Sequence, residues 1–286
     1  MSDVTRCEIW GVLNVAPDSF SDGGRYSELG AALEHGRRLL SQGAHVVDVG
    51  GQSSRPAGRT YGSGARSVPA EVEAARVVPV VRALVEQSRA VRISVDTTKA
   101  EVARQALAAG ATIVNDVSCG AHEELLQVVA ASGAELVLMH TRGAGQIDAE
   151  NTKYDDVVLD VRREVLAAAQ RAVAHGVPRS AIWIDPGIGF AKTWDQSLTL
   201  LANLGAFVDT DHRVLVGASR KSFIAEVAAA ASGRKPSPLE REGGTAAAVT
   251  ASVLAGAHAV RVHEVDTMRQ AAMVAQALRT RHGGRP

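Results

Sequence analysis

Three polar side chains each close a run of Val and Ile: Asp96 in RISVD, Asn115 in TIVN and Asp185 in AIWID. A carboxylate at the end of a buried strand is costly unless it is paired or meets a ligand. Two other stretches supply cations. GASRKSF carries Arg220 and Lys221, and RVH carries Arg261 and His263. On a strand, the two side chains of RVH project from one face. Carboxylates accept adjacent N–H donors in bidentate fashion, an Asn satisfies mixed donor and acceptor positions, and convergent cations hold an anion. An aminopyrimidinone ring presents adjacent donors of that kind. The set describes a pocket with an acidic, donor-reading wall and a cationic wall, suited to a heterocycle carrying an anionic group. DPGIGFAKT adds a Gly-rich loop after Asp185, expected to let a ligand approach closely. SRKSF is expected to open a helix, with free backbone N–H groups beside Arg220 and Lys221.

Commoner chemistries fail on single residues. DSFSDG begins like a calcium loop, but Phe20 takes a ligand position and Leu29 stands where the closing Glu belongs. HEELL at His122 lacks the second His of a zinc-protease helix. GIGFAK has Lys192 where a dinucleotide fingerprint needs Gly, and GASRK has Lys221 where a nucleophile elbow needs Gly. No P-loop is present. Neither a common nucleotide cradle nor a triad hydrolase fits.

The elements that must position these residues alternate in type. Short Val- and Ile-rich runs at 7–13, 45–49, 91–95, 112–114, 135–139, 181–184, 213–216 and 259–262 read as strands. Amphipathic stretches at 28–42, 68–88, 99–109, 122–131, 155–175, 195–204, 221–231, 245–255 and 265–281 read as helices. Several end on a Gly that leads into the next strand, as in QGAHVVDV and AGATIVND. Strands apolar on both faces, each followed by a helix, imply a covered parallel sheet. Eight such units predict an α/β fold, a (β/α)8 TIM barrel, as one domain over 1–286. A doubly wound open sheet is the competing architecture. In the barrel, the strand exits Asn14, Gly50, Gly51, Asp96, Asn115, His140, Asp185, Ser219, Arg261 and His263 would surround one mouth.

The 286 residues are 46% hydrophobic and 22% charged, which suits a large core and argues against disorder. Lys plus Arg and Asp plus Glu are each 31, so nothing in the balance supports a nucleic-acid or anionic-membrane partner. The N-terminus shows no signal-peptide pattern, and apolar stretches such as LVLM fall far short of a membrane span. Cys7 and Cys119 form no framework and read as free thiols in a reducing cytosol, so a cytoplasmic protein is expected.

The motifs GVLNVAPDSFSDGG, HVVDVGGQSSRPAG, ISVDTTKAEVA, GATIVNDVS, LVLMHTRG, IDPGIGFAKT, GASRKSF, EGGTAAAV and AVRVHEV, in that order, resemble the dihydropteroate synthase family over nearly the whole chain. The resemblance implies a pterin site from Asp96, Asn115, Asp185 and Lys221, with Asp185 on the aminopyrimidinone edge. It implies diphosphate binding by Arg261 and His263, with Asn14 helping through Mg²⁺. Ser54, Arg55, Pro56, Phe190 and Ser222 match positions lining a p-aminobenzoate pocket. The implied reaction is displacement of diphosphate from a dihydropterin methylene by p-aminobenzoate, with carbocation character. Asp22, Phe20, Arg55 and Lys221 would assist it, the stretch from Asp18 to Asp22 closing as a lid with the Arg55 loop and Phe20 shielding the cation. A homodimer is implied as well.

The chain departs from the family pattern in places. Ala16 stands where members usually have Thr, and Gln52-Ser53-Ser54 where they have Glu-Ser-Thr. The stretch 57–66 is longer than expected, and Ala191 replaces a frequent Gly, which reads as a minor change. The drift at Ala16, Ser54 and the long loop is expected to alter the KM for p-aminobenzoate or the response to sulfonamides. Two other readings stay open: a non-catalytic or altered-specificity pterin-binding paralogue, and a methyltetrahydrofolate-dependent corrinoid methyltransferase. Intact SRKSF and RVH disfavour the latter, whose chemistry has no diphosphate to hold.

Overall fold

The computed structural model describes residues 6–15, 25–52, 68–88 and 90–282. Eight parallel strands close on themselves in sequence order: β1 (Glu8–Asn14), β2 (Val46–Gly50), β3 (Arg92–Asp96), β4 (Ile113–Asp116), β5 (Glu135–Met139), β6 (Ile182–Asp185), β7 (Arg213–Val216) and β8 (Ala259–Val262). The ring is completed by β8 beside β1, with Glu8 opposite Ala259 and Gly11 opposite Val262. The open-sheet alternative is thereby excluded. The helices are α1 (Arg25–Ser41), α2 (Ala70–Gln87), α3 (Ala100–Ala108), α4 (Glu123–Ser132), α5 (Val157–Ala174), α6 (Trp194–Ala202), α7 (Gly205–Val208), α8 (Ser222–Ser232), α9 (Glu242–Ala255) and α10 (Val265–His282).

β5, β7 and β8 have the expected bounds, and the other strands differ from expectation by one or two residues at their ends. The short α7 was not expected, and α9 begins at Glu242, three residues before the expected start. GG at 243–244 looks like a helix breaker, yet a Cβ on Gly244 would sit 2.2 Å from Ile224 Cγ2. Close packing of α9 on α8 therefore explains a glycine that propensity reads as a stop.

Alternation along each strand sorts side chains into two cores. Ile9, Leu13, Val47, Val49, Ile93, Val95, Leu136, Leu138, Val214 and Val260 face the helices and belong to the outer core. Trp10, Val46, Ile113, Val137, Trp183, Leu215 and Ala259 fill the barrel itself. The rings of Trp10 and Trp183 meet edge to face, centroids 5.3 Å apart. Beneath them Arg92 bridges Glu8 (2.8 Å) and Glu135 (3.2 Å), and Arg213 reaches Glu135 (3.0 Å) while stacking on Trp183. The two indole N–H groups donate to Glu8 and Glu135. Tryptophans thus fill the lower interior, and both indole N–H groups and the Arg92 and Arg213 guanidiniums find partners there, while the buried Ser94 hydroxyl makes no hydrogen bond among the described residues. Above this floor many inward positions turn polar, while Val12 and Met139 stay apolar.

Candidate active site

The same alternation carries the site. Asp48, Asn115 and Asp185 each stand two positions above an apolar-layer residue of their own strand, Asp96 pairs with Asn115 at the same level, and all four are buried. Arg261 projects among them from β8. Its Nε donates to Asp48 Oδ2 at 2.6 Å and its Nη2 to Asp96 Oδ2 at 2.9 Å. Asn115 Nδ2 donates to Asp48 Oδ2 at 3.3 Å. The acidic and cationic walls expected from sequence are therefore not separate, because Arg261 lies between two carboxylates.

Glycines bring the remaining groups close. A Cβ on Gly50 would lie 3.5 Å from Asn14 Oδ1 and 3.8 Å from Asp96 Oδ2, so Asn14 and Asp96 flank the end of β2. A Cβ on Gly217 would lie 3.6 Å from Asp185 Oδ2, and one on Gly189 3.3 Å from Lys221 Cδ. The Lys221 ammonium sits 4.0 Å from the centroid of Phe190. His263 Nδ1 lies 3.0 Å from Ser219 Oγ. Ser222 is buried at the first turn of α8.

Electrostatics follow from this burial. Desolvation pushes Asp185 up to about 6, against the N–H of Gly187 and the charges of Lys221 and Arg261. Asp96 is also raised by burial, opposed by Arg261 and reinforced by Asp48 and Glu73. Lys221 is lowered to about 8 by burial and by Arg261, against the pull of Asp185 and Asp96. These carboxylates and this amine are poised to change charge near neutrality, as functional groups often are.

Two sequence expectations need correction. Arg220 does not face the mouth: its φ of 59° turns the chain, and its guanidinium pairs with Glu242 (2.6 Å) and Glu264 (3.5 Å). Its backbone N–H is not free either, since it donates to Thr245 Oγ1 at 3.1 Å. In DPGIGFAKT, Gly187 serves protein packing rather than ligand approach. With φ at 68°, its Cβ would fall 1.9 Å from the carbonyl oxygen of His140. Asp22, Phe20, Ser54, Arg55, Pro56, Ala16 and the stretch 57–66 lie outside the described residues. Gln52 is described, and its Oε1 accepts from Lys99 Nζ (2.8 Å) and Val68 N (3.1 Å). Lys99 also pairs with Glu73.

Sequence reasoning missed Asp48, which carries two of the site's hydrogen bonds. Its signal was present: an Asp flanked by Val in VVDVG, two residues before a strand exit, must face the interior beside the exit residues. Lys192 was also missed. It is 1% exposed, and its Nζ contacts His140 Nδ1 and the Phe190 carbonyl, each at 2.9 Å.

The family model for pterin binding enzymes matches residues 10–263. Dihydropteroate synthases from Synechocystis sp. and Mycobacterium leprae are 43% and 45% identical over 96% and 90% of this chain, covering 90% and 88% of their own lengths. The chain belongs to the dihydropteroate synthase family of pterin-binding transferases. Among solved structures, the Xanthomonas albilineans dihydropteroate synthase with 4-aminobenzoic acid superposes with a TM-score of 0.86 at 39% identity, over 99% of this chain and 95% of that one. The same enzyme with 7,8-dihydropteroate gives 0.82 at 37% identity, over 99% and 96%. A Yersinia pestis dihydropteroate synthase in a sulfonamide complex gives 0.86 at 36%, over 97% and 96%. Among the described residues no group of three or more His, Cys, Asp or Glu could hold a metal ion. No helix there is long and apolar enough to cross a membrane.

Proposed function

We propose that this protein joins p-aminobenzoate to the methylene of 6-hydroxymethyl-7,8-dihydropterin diphosphate, releasing diphosphate and forming dihydropteroate for folate synthesis. The observation that carries this reading is the cluster of buried Asp96, Asn115 and Asp185 with half-buried Lys221 and Arg261 at the strand ends of a barrel that belongs to this family. Asp185 would accept the paired N–H donors of the aminopyrimidinone, with Asp96 and Asn115 completing the ring's hydrogen bonds and Lys221 donating to its keto and ring-nitrogen side. Arg261 and His263 would draw the departing diphosphate. Phe190 and Ser222, with Ser54, Arg55 and Pro56, would receive the arylamine. Loss of diphosphate breaks the methylene C–O bond; the amine nitrogen forms the new C–N bond and gives up one proton. The protein's work in that step is orientation, charge stabilisation and exclusion of water, and it requires no covalent nucleophile. Asp22, Phe20 and Arg55 are proposed to close over the site.

Mg²⁺ fits as a companion of the diphosphate rather than as a resident ion, because a single amide oxygen from Asn14 would complete a shell supplied mainly by phosphate and water. When bound it would neutralise charge building on the leaving group. The whole chain is proposed to act as one pterin-binding domain in the cytoplasm, where the buried thiols of Cys7 and Cys119 would stay reduced. It is proposed to pair with a second copy. The exposed Met273, Val274 and Leu278 of α10 and Leu254 of α9 support an apolar contact, which light scattering would detect as twice the 29.9 kDa chain mass.

The test is turnover of the two substrates by purified protein with and without Mg²⁺, following dihydropteroate and diphosphate. Sulfonamides are expected to compete with the arylamine. Absence of product from folded protein would reject the reading in favour of a pterin-binding protein without transferase activity.

A further inference from the structure

Lys192 is among the largest fully buried side chains of the described structure, and no carboxylate touches its ammonium. Its two partners are the Phe190 carbonyl and His140 Nδ1. Lysine is almost never fully buried unless paired, and an apolar residue of similar length would avoid the desolvation cost. Burial here therefore calls for a reason other than stability.

The contacts supply one. His140 sits between elements: its N–H donates to the carbonyl of Asp185 (2.8 Å), its carbonyl lies against Gly187, and its Nε2 lies 3.0 Å from Glu164 Oε2. Burial and the neighbouring Lys192 charge lower His140 to about 4, so the ring is neutral. The neutral ring accepts at Nδ1 from Lys192 and donates from Nε2 to Glu164. Glu164 is held in turn by Arg142, whose guanidinium stacks on Tyr154 at 4.0 Å. The Tyr154 hydroxyl donates to the Ala191 carbonyl at 3.0 Å, and Ala191 N donates to Gly145 O at 3.1 Å. The carbonyls of Phe190 and Ala191 are thus each fixed by a side chain from below. Gly145 crowds one side of the Phe190 ring, where its Cβ would fall 2.9 Å from Cδ1, and the Lys221 ammonium sits within contact of the same ring.

We propose that Lys192 is a positioning residue for the arylamine pocket: by holding the Phe190 carbonyl and tying it through His140 to β5, it fixes the ring of Phe190 against Lys221. This rests on the arylamine role given to Phe190 above. A pterin would feel the clamp less, because Asp96, Asn115 and Asp185 are set by their own strands and only Lys221 of the proposed pterin ligands meets Phe190. An arylamine packed on Phe190 would feel it directly.

The experiment compares full-length wild type, Lys192→Met and Tyr154→Phe in the two-substrate assay, with thermal unfolding as the control for folding. For Lys192→Met the KM for p-aminobenzoate should rise about tenfold, the effect of losing two buried hydrogen bonds. The KM for the dihydropterin diphosphate should change by less than about twofold. Tyr154→Phe removes one hydroxyl and should move the arylamine KM in the same direction, by about threefold. If Lys192→Met does not fold, Lys192→Gln decides the matter by the same two KM values. An unchanged arylamine KM, or an equal rise in both KM values, would overturn the proposal and leave Lys192 a structural residue. Lack of turnover in the wild type would instead reject the functional reading.

Discussion

Arg261 Nε and Asp48 Oδ2 lie 2.6 Å apart although 213 residues separate them in the chain. Closure of the barrel, with β8 beside β1 and β1 beside β2, brings them together. Asp48 also accepts from Asn115, while its Oδ1 is buried with no hydrogen-bond partner among the described residues. One carboxylate therefore orients both a proposed diphosphate ligand and a proposed pterin ligand. Replacing Asp48 with Ala leaves Arg261 half-compensated at a largely buried position, with Asp96 as its remaining carboxylate partner. The expected loss is about 3 kcal/mol of stability, measurable by urea unfolding. Asp48→Asn should keep the fold and lower kcat/KM for the dihydropterin diphosphate by at least about tenfold. Unaltered kinetics in that variant would remove Asp48 from the site.

The dependence of that same kcat/KM on pH should be bell-shaped. Asp185 is raised to about 6 by burial, so it takes up a proton and stops accepting from the pterin edge as pH falls through that value. Lys221 is lowered to about 8, so it loses its charge as pH rises through that value. Activity should be greatest between the two, with each limb falling roughly tenfold per pH unit. Lys221→Met should abolish most of the activity and flatten the alkaline limb of what remains. A profile that stays level from pH 5 to 6 would show that Asp185 titrates lower than its burial implies.

Ala191 has a φ of 49°, a region L-residues enter at a cost. The position is fully buried and both its backbone polar groups are engaged. The glycine that the resemblance leads one to expect here would hold this φ without steric cost, so alanine carries a small backbone strain. Ala191→Gly should change stability by less than about 1 kcal/mol, because relief of strain offsets added chain entropy and a lost methyl. Ala191→Val, β-branched at positive φ, should cost more than about 2 kcal/mol. Thermal midpoints of the two variants check both numbers.

At the floor of the barrel, Trp183→Ala would empty the interior and strip Glu135 and Arg213 of a partner each. A loss of about 3 to 5 kcal/mol is expected. The KM values of the fraction that remains folded should not move, since the change lies below the inward carboxylates. Altered KM values with a normal midpoint would contradict this separation of floor and site.

Most of the architecture was legible because its signals are redundant. The strands are short apolar runs, most of them rich in Val and Ile, and helix-ending glycines such as Gly133 do adopt the left-handed conformation. Asp96, Asn115 and Asp185 were legible because polar residues terminating apolar runs stand out. Asp48 was not, because Val follows it and the run continues. Arg220 and Lys221 are neighbours in sequence and read as one basic pair, yet a single positive φ sends them to opposite sides. Lys192 was noticed only as a residue that spoiled a dinucleotide motif. Its burial depends on His140, 52 residues away, which no local pattern joins to it. Long-range closure, backbone inversion and pairing across loops are properties of the folded chain that composition and period do not encode.

The paired tryptophans have a kinetic meaning beyond packing. A barrel filled from below behaves as a blind well, so both substrates and both products share one opening. Whatever binds deepest must enter first and leave after anything stacked above it. A dihydropterin seated on the buried carboxylates would therefore precede the arylamine, and product would have to clear the well before the next pterin could descend.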